Sequence, residues 1–123
     1  MIKNFTGIVL CTRDWGETDL LVNVLSSEGE RLELVAKGAG GPRSKRRSHL
    51  EGMNWIRGTV YESAKRSYLQ NVQTENSFLR VKEEPGLVFR LAVFIEILEK
   101  TLRPNNAHPE IYQLFLETLQ TLN

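Results

Sequence analysis

With 123 residues and 41% hydrophobic side chains, the chain can bury one modest core, which excludes disorder as its default state. Lys and Arg number 16 against 15 Asp and Glu, a net charge of +1, so any electrostatic partner must be read from where the charges lie. No apolar run reaches the roughly 20 residues that span a bilayer, residues 1–4 lack the apolar core of a signal peptide, and one cysteine with two histidines makes neither a disulfide nor a zinc set; a soluble, intracellular, metal-free protein is expected.

In chain order, short apolar and β-branched runs are punctuated by Gly, Asn, Asp and Ser. That pattern predicts strands at FTGIVLCT (5–12), DLLVNVLS (19–26), RLELVA (31–36), NWIRGTVYE (54–62) and YLQNVQT (68–74). Asp14 and Gly16 mark the first turn, SEGE the second, and SAKRS a hairpin between the last two strands. In the third strand Leu32, Leu34 and Ala36 alternate with Arg31, Glu33 and Val35. Five such strands predict a small antiparallel barrel or sandwich.

After Pro85 and Gly86 the period lengthens. Leu87, Leu91, Ile95, Leu98 and Leu102 follow helical spacing, in a segment apolar enough that more than one surface should cover it. Pro104 is the expected stop, and Pro109 suits the first turn of a second helix that places Ile111, Leu114, Phe115, Thr118 and Leu122 on one face. The expected fold class is mixed and mainly β: a barrel over residues 1–80, then an α-helical hairpin over residues 81–123.

Catalytic readings find little support. Cys11 lies in an apolar strand run, while His49 and His108 stand in separate segments, so no nucleophile and base are paired. KGAGG matches neither phosphate-binding glycine pattern, and Pro42 removes an amide donor. Asp14, Glu17 and Asp19 lack a calcium-loop spacing and read as turn caps. No enzyme activity, cofactor or metal is expected.

Charge is more informative. Lys and Arg outnumber Asp and Glu by 12 to 9 over residues 1–80 and fall behind by 4 to 6 over residues 81–123. KGAGGPRSKRRS (37–48) holds Lys37, Arg43, Lys45, Arg46 and Arg47 with no acidic residue. Such a run is either a solvated loop or a contact for a polyanion, where each neutralised phosphate releases counterions. Trp15, Trp55, Tyr61 and Tyr68 lie in or beside strands, where a ring is more often core but an exposed one can stack on bases. Trp15, beside Gly16 in a polar turn, is the least core-like.

The ordered combination GIVLCTRDWGETDLLVNVLSSEGERLELVAKGAGGPRSK resembles the N-terminal region of the bacterial RecO family of DNA repair and recombination mediators. Its features are a strand ending in Thr-Arg, Trp-Gly-Glu-Thr-Asp, a Ser-x-x-Gly turn, and Val-Ala-Lys-Gly-Ala leading into basic residues. The resemblance implies a five-stranded oligonucleotide/oligosaccharide-binding (OB) barrel followed by the start of a larger helical domain. It implies binding of single- and double-stranded DNA, strand annealing, and recombinase loading onto DNA coated by single-stranded DNA-binding protein. It also implies RecR as a partner and a cytoplasmic, nucleoid-associated location. Arg13 and Lys37 match the family's basic positions and Arg43, Lys45, Arg46 and Arg47 fall in its basic loop; Trp15 joins these DNA-binding candidates as the least core-like ring. Glu17 and Asp19 are expected to be architectural. Two departures stand out: Glu51 and Gly52 replace a common Gln-Pro, and the cysteine-rich zinc module of many longer members has no counterpart here. An RNA-binding barrel and a protein-interaction adaptor are the alternative readings.

Overall fold

The computed structural model describes residues 1–103 and 106–123. The punctuated apolar runs form five strands: β1 (Ile2–Trp15), β2 (Asp19–Ser26), β3 (Arg31–Ala36), β4 (Trp55–Glu62) and β5 (Ser67–Asn76). They close into a barrel in the order β1-β2-β3-β5-β4, a five-stranded barrel of the OB type. Closure satisfies both sheet edges, which a sandwich would leave open.

β1 outruns its apolar run at both ends because its two parts serve different partners. Residues 2–8 pair with β4 and residues 7–15 with β2, and a register shift between Val9 and Cys11 lets the strand bend from one to the other. The barrel is completed by a short parallel contact in which Leu34 faces Ser67 and Val35 faces Tyr68. Val35, expected to alternate outward, is buried there between the partners Leu21 and Tyr68.

Two cores explain why β1 and β2 read as continuously apolar. Val9, Val22, Val24, Leu34, Ile56 and Leu69 fill the barrel. Ile8, Leu10 and Leu25 point the other way and pack against the helices, where burial of each such side chain contributes about 2 kcal/mol.

Among the described residues three α-helices follow: α1 (Leu79–Lys82), α2 (Pro85–Thr101) and α3 (Pro109–Leu122), with prolines in the first turns of the last two. The expected spacing in α2 buries Leu91, Ile95 and Leu98, and Leu102 follows them inward. The opposite side is uncovered, leaving Phe89, Val93 and Ile97 exposed. In α3 the buried face is Tyr112, Phe115, Leu116 and Leu119, while Leu114 and Leu122 are exposed, contrary to the sequence expectation. The face is rotated because the Tyr112 hydroxyl accepts the Trp55 indole N–H at 3.0 Å and Phe115 meets Phe94 edge-on at 5.3 Å. Thr118 is likewise exposed, its hydroxyl donating to the Leu114 carbonyl at 2.7 Å. The stop expected at Pro104 lies outside the described residues. No described helix is long and apolar enough to cross a membrane.

Candidate nucleic-acid interface

The basic stretch is anchored from both sides of one barrel end. From the β1–β2 turn, the Asp19 carboxylate accepts the Gly38 N–H at 2.8 Å, and the Thr18 carbonyl accepts the Gly40 N–H at 2.8 Å. Gly38 has φ +74°, and a Cβ at Gly40 would stand 2.9 Å from the Asp19 carbonyl oxygen, so both positions require glycine for a stated reason. From the β5 side, the Arg46 guanidinium donates to the Leu69 carbonyl at 3.0 Å and to the Lys37 carbonyl. Arg47 donates to the Gly40 carbonyl at 3.0 Å. Ala39, within the loop, is fully buried and belongs to the barrel core.

These bonds divide five of the six sequence-predicted cations into two groups, Lys37 lying apart over a ring. Arg46 and Arg47 hold the loop together. Arg13, Arg43 and Lys45 are exposed, with no side-chain hydrogen bond or ion pair among the described residues. Arg13 and Arg47 line an open cleft of about 820 Å³ with Ser44 and Ser48, and Asp14 and Glu51 line it too, so the charges on the cleft wall balance and the excess of cations lies in the loop beside it.

Two rings complete the end. Trp15, at the last position of β1, is 38% exposed and carries the Arg66 guanidinium 4.8 Å from its centroid. Lys37 Nζ lies 4.9 Å from the centroid of Tyr68, and the half-exposed Tyr61 is the direct cross-strand partner of Tyr68. The sequence alone did not single out Arg66. The β4–β5 hairpin lies against the β1–β2 turn only once the barrel closes, although OB topology places those two loops together. Trp55, the fourth candidate ring, is spent on docking α3.

Behind the loop, buried Asn54 donates to the Ser48 carbonyl at 3.1 Å and the His49 carbonyl at 2.9 Å, and accepts from Lys82 of α1. Burial lowers the Lys82 ammonium below the usual lysine range, partly offset by Glu51 at 3.7 Å. The loop is thereby fastened to the first helix as well as to the barrel.

Other candidate centres are weaker. Cys11 is only half-buried rather than core, and its thiol is pushed up to about 11, first by burial and then by the nearby Glu99 carboxylate. His49 is engaged with Thr74 at 2.7 Å and His108 faces Glu110 at 3.4 Å. Among the described residues no three His, Cys, Asp or Glu side chains gather to hold a metal ion. A polar groove of about 520 Å³ beside Asn4, Thr6, Asn71 and Gln73 contains one cation, Arg57, which is paired with Glu75 at 2.7 Å.

Comparison with known proteins meets this geometry. The chain is similar to proteins named DNA repair protein RecO. It is 28% identical over 123 residues to that of Oceanobacillus iheyensis, covering 100% of this chain and 48% of the relative. It is 30% identical over 115 residues to that of Syntrophobacter fumaroxidans, covering 94% and 46%. It is 25% identical over 123 residues to that of Bacillus subtilis, covering 100% and 48%. The chain thus spans about half the length of the curated relatives it matches. The profile of the family described as Recombination protein O N terminal matches residues 1–78, which include all five strands and the anchored loop. By that match, over more than half of its length, the chain belongs to the RecO family.

Proposed function

We propose that this chain is a non-enzymatic DNA-binding module of DNA repair and recombination. It holds single- and double-stranded DNA on the basic end of the barrel and promotes strand annealing. The observation that carries the reading is the anchored loop, which presents exposed Arg43 and Lys45 on either side of Ser44, a residue that lines one cleft with Arg13, while Lys37 at the loop's root lies over Tyr68. A loop fixed by Asp19, Arg46 and Arg47 needs little further ordering when it meets a phosphate backbone. Holding two strands on one cationic surface lowers their mutual repulsion, so that complementary bases can pair. Family membership favours DNA over the RNA-binding and adaptor readings. Recombinase loading, partnership with RecR and with single-stranded DNA-binding protein, and a place at the bacterial nucleoid belong to this proposal on the family's account alone.

A salt titration of single-stranded DNA binding tests the reading. Changing Arg13, Arg43 and Lys45 together to Ala is expected to weaken binding and to flatten the plot of log K against log salt by about 2, near 0.7 for each phosphate no longer neutralised. Equal affinity and slope in wild type and variant would remove the loop from the proposal. A preference of tenfold or more for RNA of equal length would move it to the RNA reading.

A further inference from the structure

Trp15 and Tyr68 belong to one surface. Arg13, Leu21, Val35 and Tyr68 are successive cross-strand partners and so share one face, and Trp15 lies two residues beyond Arg13 in β1 on that same face; Arg66, from the β4–β5 turn, reaches the Trp15 ring, and Tyr61 stands opposite Tyr68. Both Trp15 and Tyr68 are covered by a cation on a ring face. We infer that Trp15 and Tyr68 form a stacking platform for unpaired bases of single-stranded DNA. Arg66 and Lys37 cap it in the free protein and uncover it by moving to the strand's phosphates. The inference rests on the DNA-binding reading and adds to it a discrimination between unpaired and paired bases.

Magnitudes favour the exchange. An exposed cation over an aromatic ring is worth roughly two- to fivefold in an equilibrium. A base stacked on an aromatic side chain is worth about five- to a hundredfold, and the displaced cation gains a phosphate partner besides. A base therefore displaces the cap, whereas duplex DNA keeps its base faces stacked internally and offers the cations only phosphates. The nearby carboxylates do not hold the caps in place: Asp19 is engaged with Gly38, and among the described residues neither Lys37 nor Arg66 has an ion-pair partner.

The test compares a single-stranded oligomer with an abasic oligomer of the same length and phosphate count. Wild type is expected to bind the abasic strand about tenfold more weakly. Trp15→Ala with Tyr68→Ala should bind the two strands alike, compared at a temperature where the variant is folded, since Tyr68 pairs with buried Val35. Trp15 fluorescence, identified by its loss in Trp15→Phe, should be quenched by the normal strand and not by the abasic one. Arg66→Gln should lower the salt slope by about 0.7, because the guanidinium ends on a phosphate. Equal wild-type binding of both strands overturns the platform and leaves the DNA-binding reading standing. Failure to bind either strand overturns that reading, and this inference with it. A rise in affinity in Arg66→Gln with no change of slope overturns the exchange, since Arg66 would then only block the ring.

Discussion

The Asp19 carboxylate accepts the Gly38 N–H at 2.8 Å, fastening the root of the basic loop to the start of β2. A carboxylate accepting a backbone N–H gives one of the stronger hydrogen bonds available to a loop. Asp19→Ala should lower stability by about 1–2 kcal/mol, while Asp19→Asn, which keeps an acceptor oxygen, should lose less. Urea denaturation of the three proteins checks the order.

Arg46 and Arg43 are equivalent in sequence and opposite in structure. Arg46→Ala leaves the Leu69 and Lys37 carbonyls without their guanidinium donor and should cost about 1–2 kcal/mol of stability. Arg43→Ala should leave the melting temperature unchanged and weaken DNA binding in a salt-dependent way. Thermal melts beside binding isotherms separate the two effects.

Asn54 is nearly fully buried, and its amide serves Ser48, His49 and Lys82 together. Asn54→Ala should destabilise by about 2–3 kcal/mol, since it strands two carbonyls and a half-buried ammonium. Hydrogen exchange over residues 47–50 and 79–82 should accelerate in both segments at once, because a single side chain joins them.

Cys11 supplies a pH dependence. With its thiol held near 11 instead of 9.0, alkylation at pH 8 should run about a hundredfold slower in the folded protein than in urea. Above pH 9 the folded state keeps a proton that the unfolded state releases, so stability should fall as pH rises from 9 toward 11. The difference in stability between wild type and Cys11→Ala, measured from pH 7 to 11, isolates that fall. A difference that stays flat would mean that the folded thiol titrates as the free one does.

The boundaries of β2 and β3 were legible residue for residue, because Gly, Asp and Ser punctuate them sharply. The outer residues of β1 were not, because Lys3, Asn4, Arg13 and Asp14 face solvent and carry no periodicity. The hairpin glycine Gly29 was legible as a turn, with φ +83°, but not for its tertiary contact. A Cβ there would collide with the His108 carbonyl at the entry to α3, and only the folded chain brings those residues together. The basic loop could be read as a cluster, yet its split into fasteners and free cations depends on carbonyls from Leu69, Lys37 and Gly40. Arg66 escaped notice because its partner Trp15 lies on the far side of the barrel's sequence. α3 was misplaced in rotation because Leu114 and Leu116 are alike in hydrophobicity, and only the contacts of Tyr112 and Phe115 decide between them.

Backbone amide shift mapping with a single-stranded DNA oligomer tests most directly whether the basic barrel end is the binding surface. The amides of Gly16, Gly38, Gly40, Arg43, Lys45 and Arg66 are expected to shift together, while those of Gly58, Asn71 and helix α2 stay in place. Shifts confined to Gly58, Asn71 and Gln73, or to α2 and α3, with the loop unmoved, would contradict it.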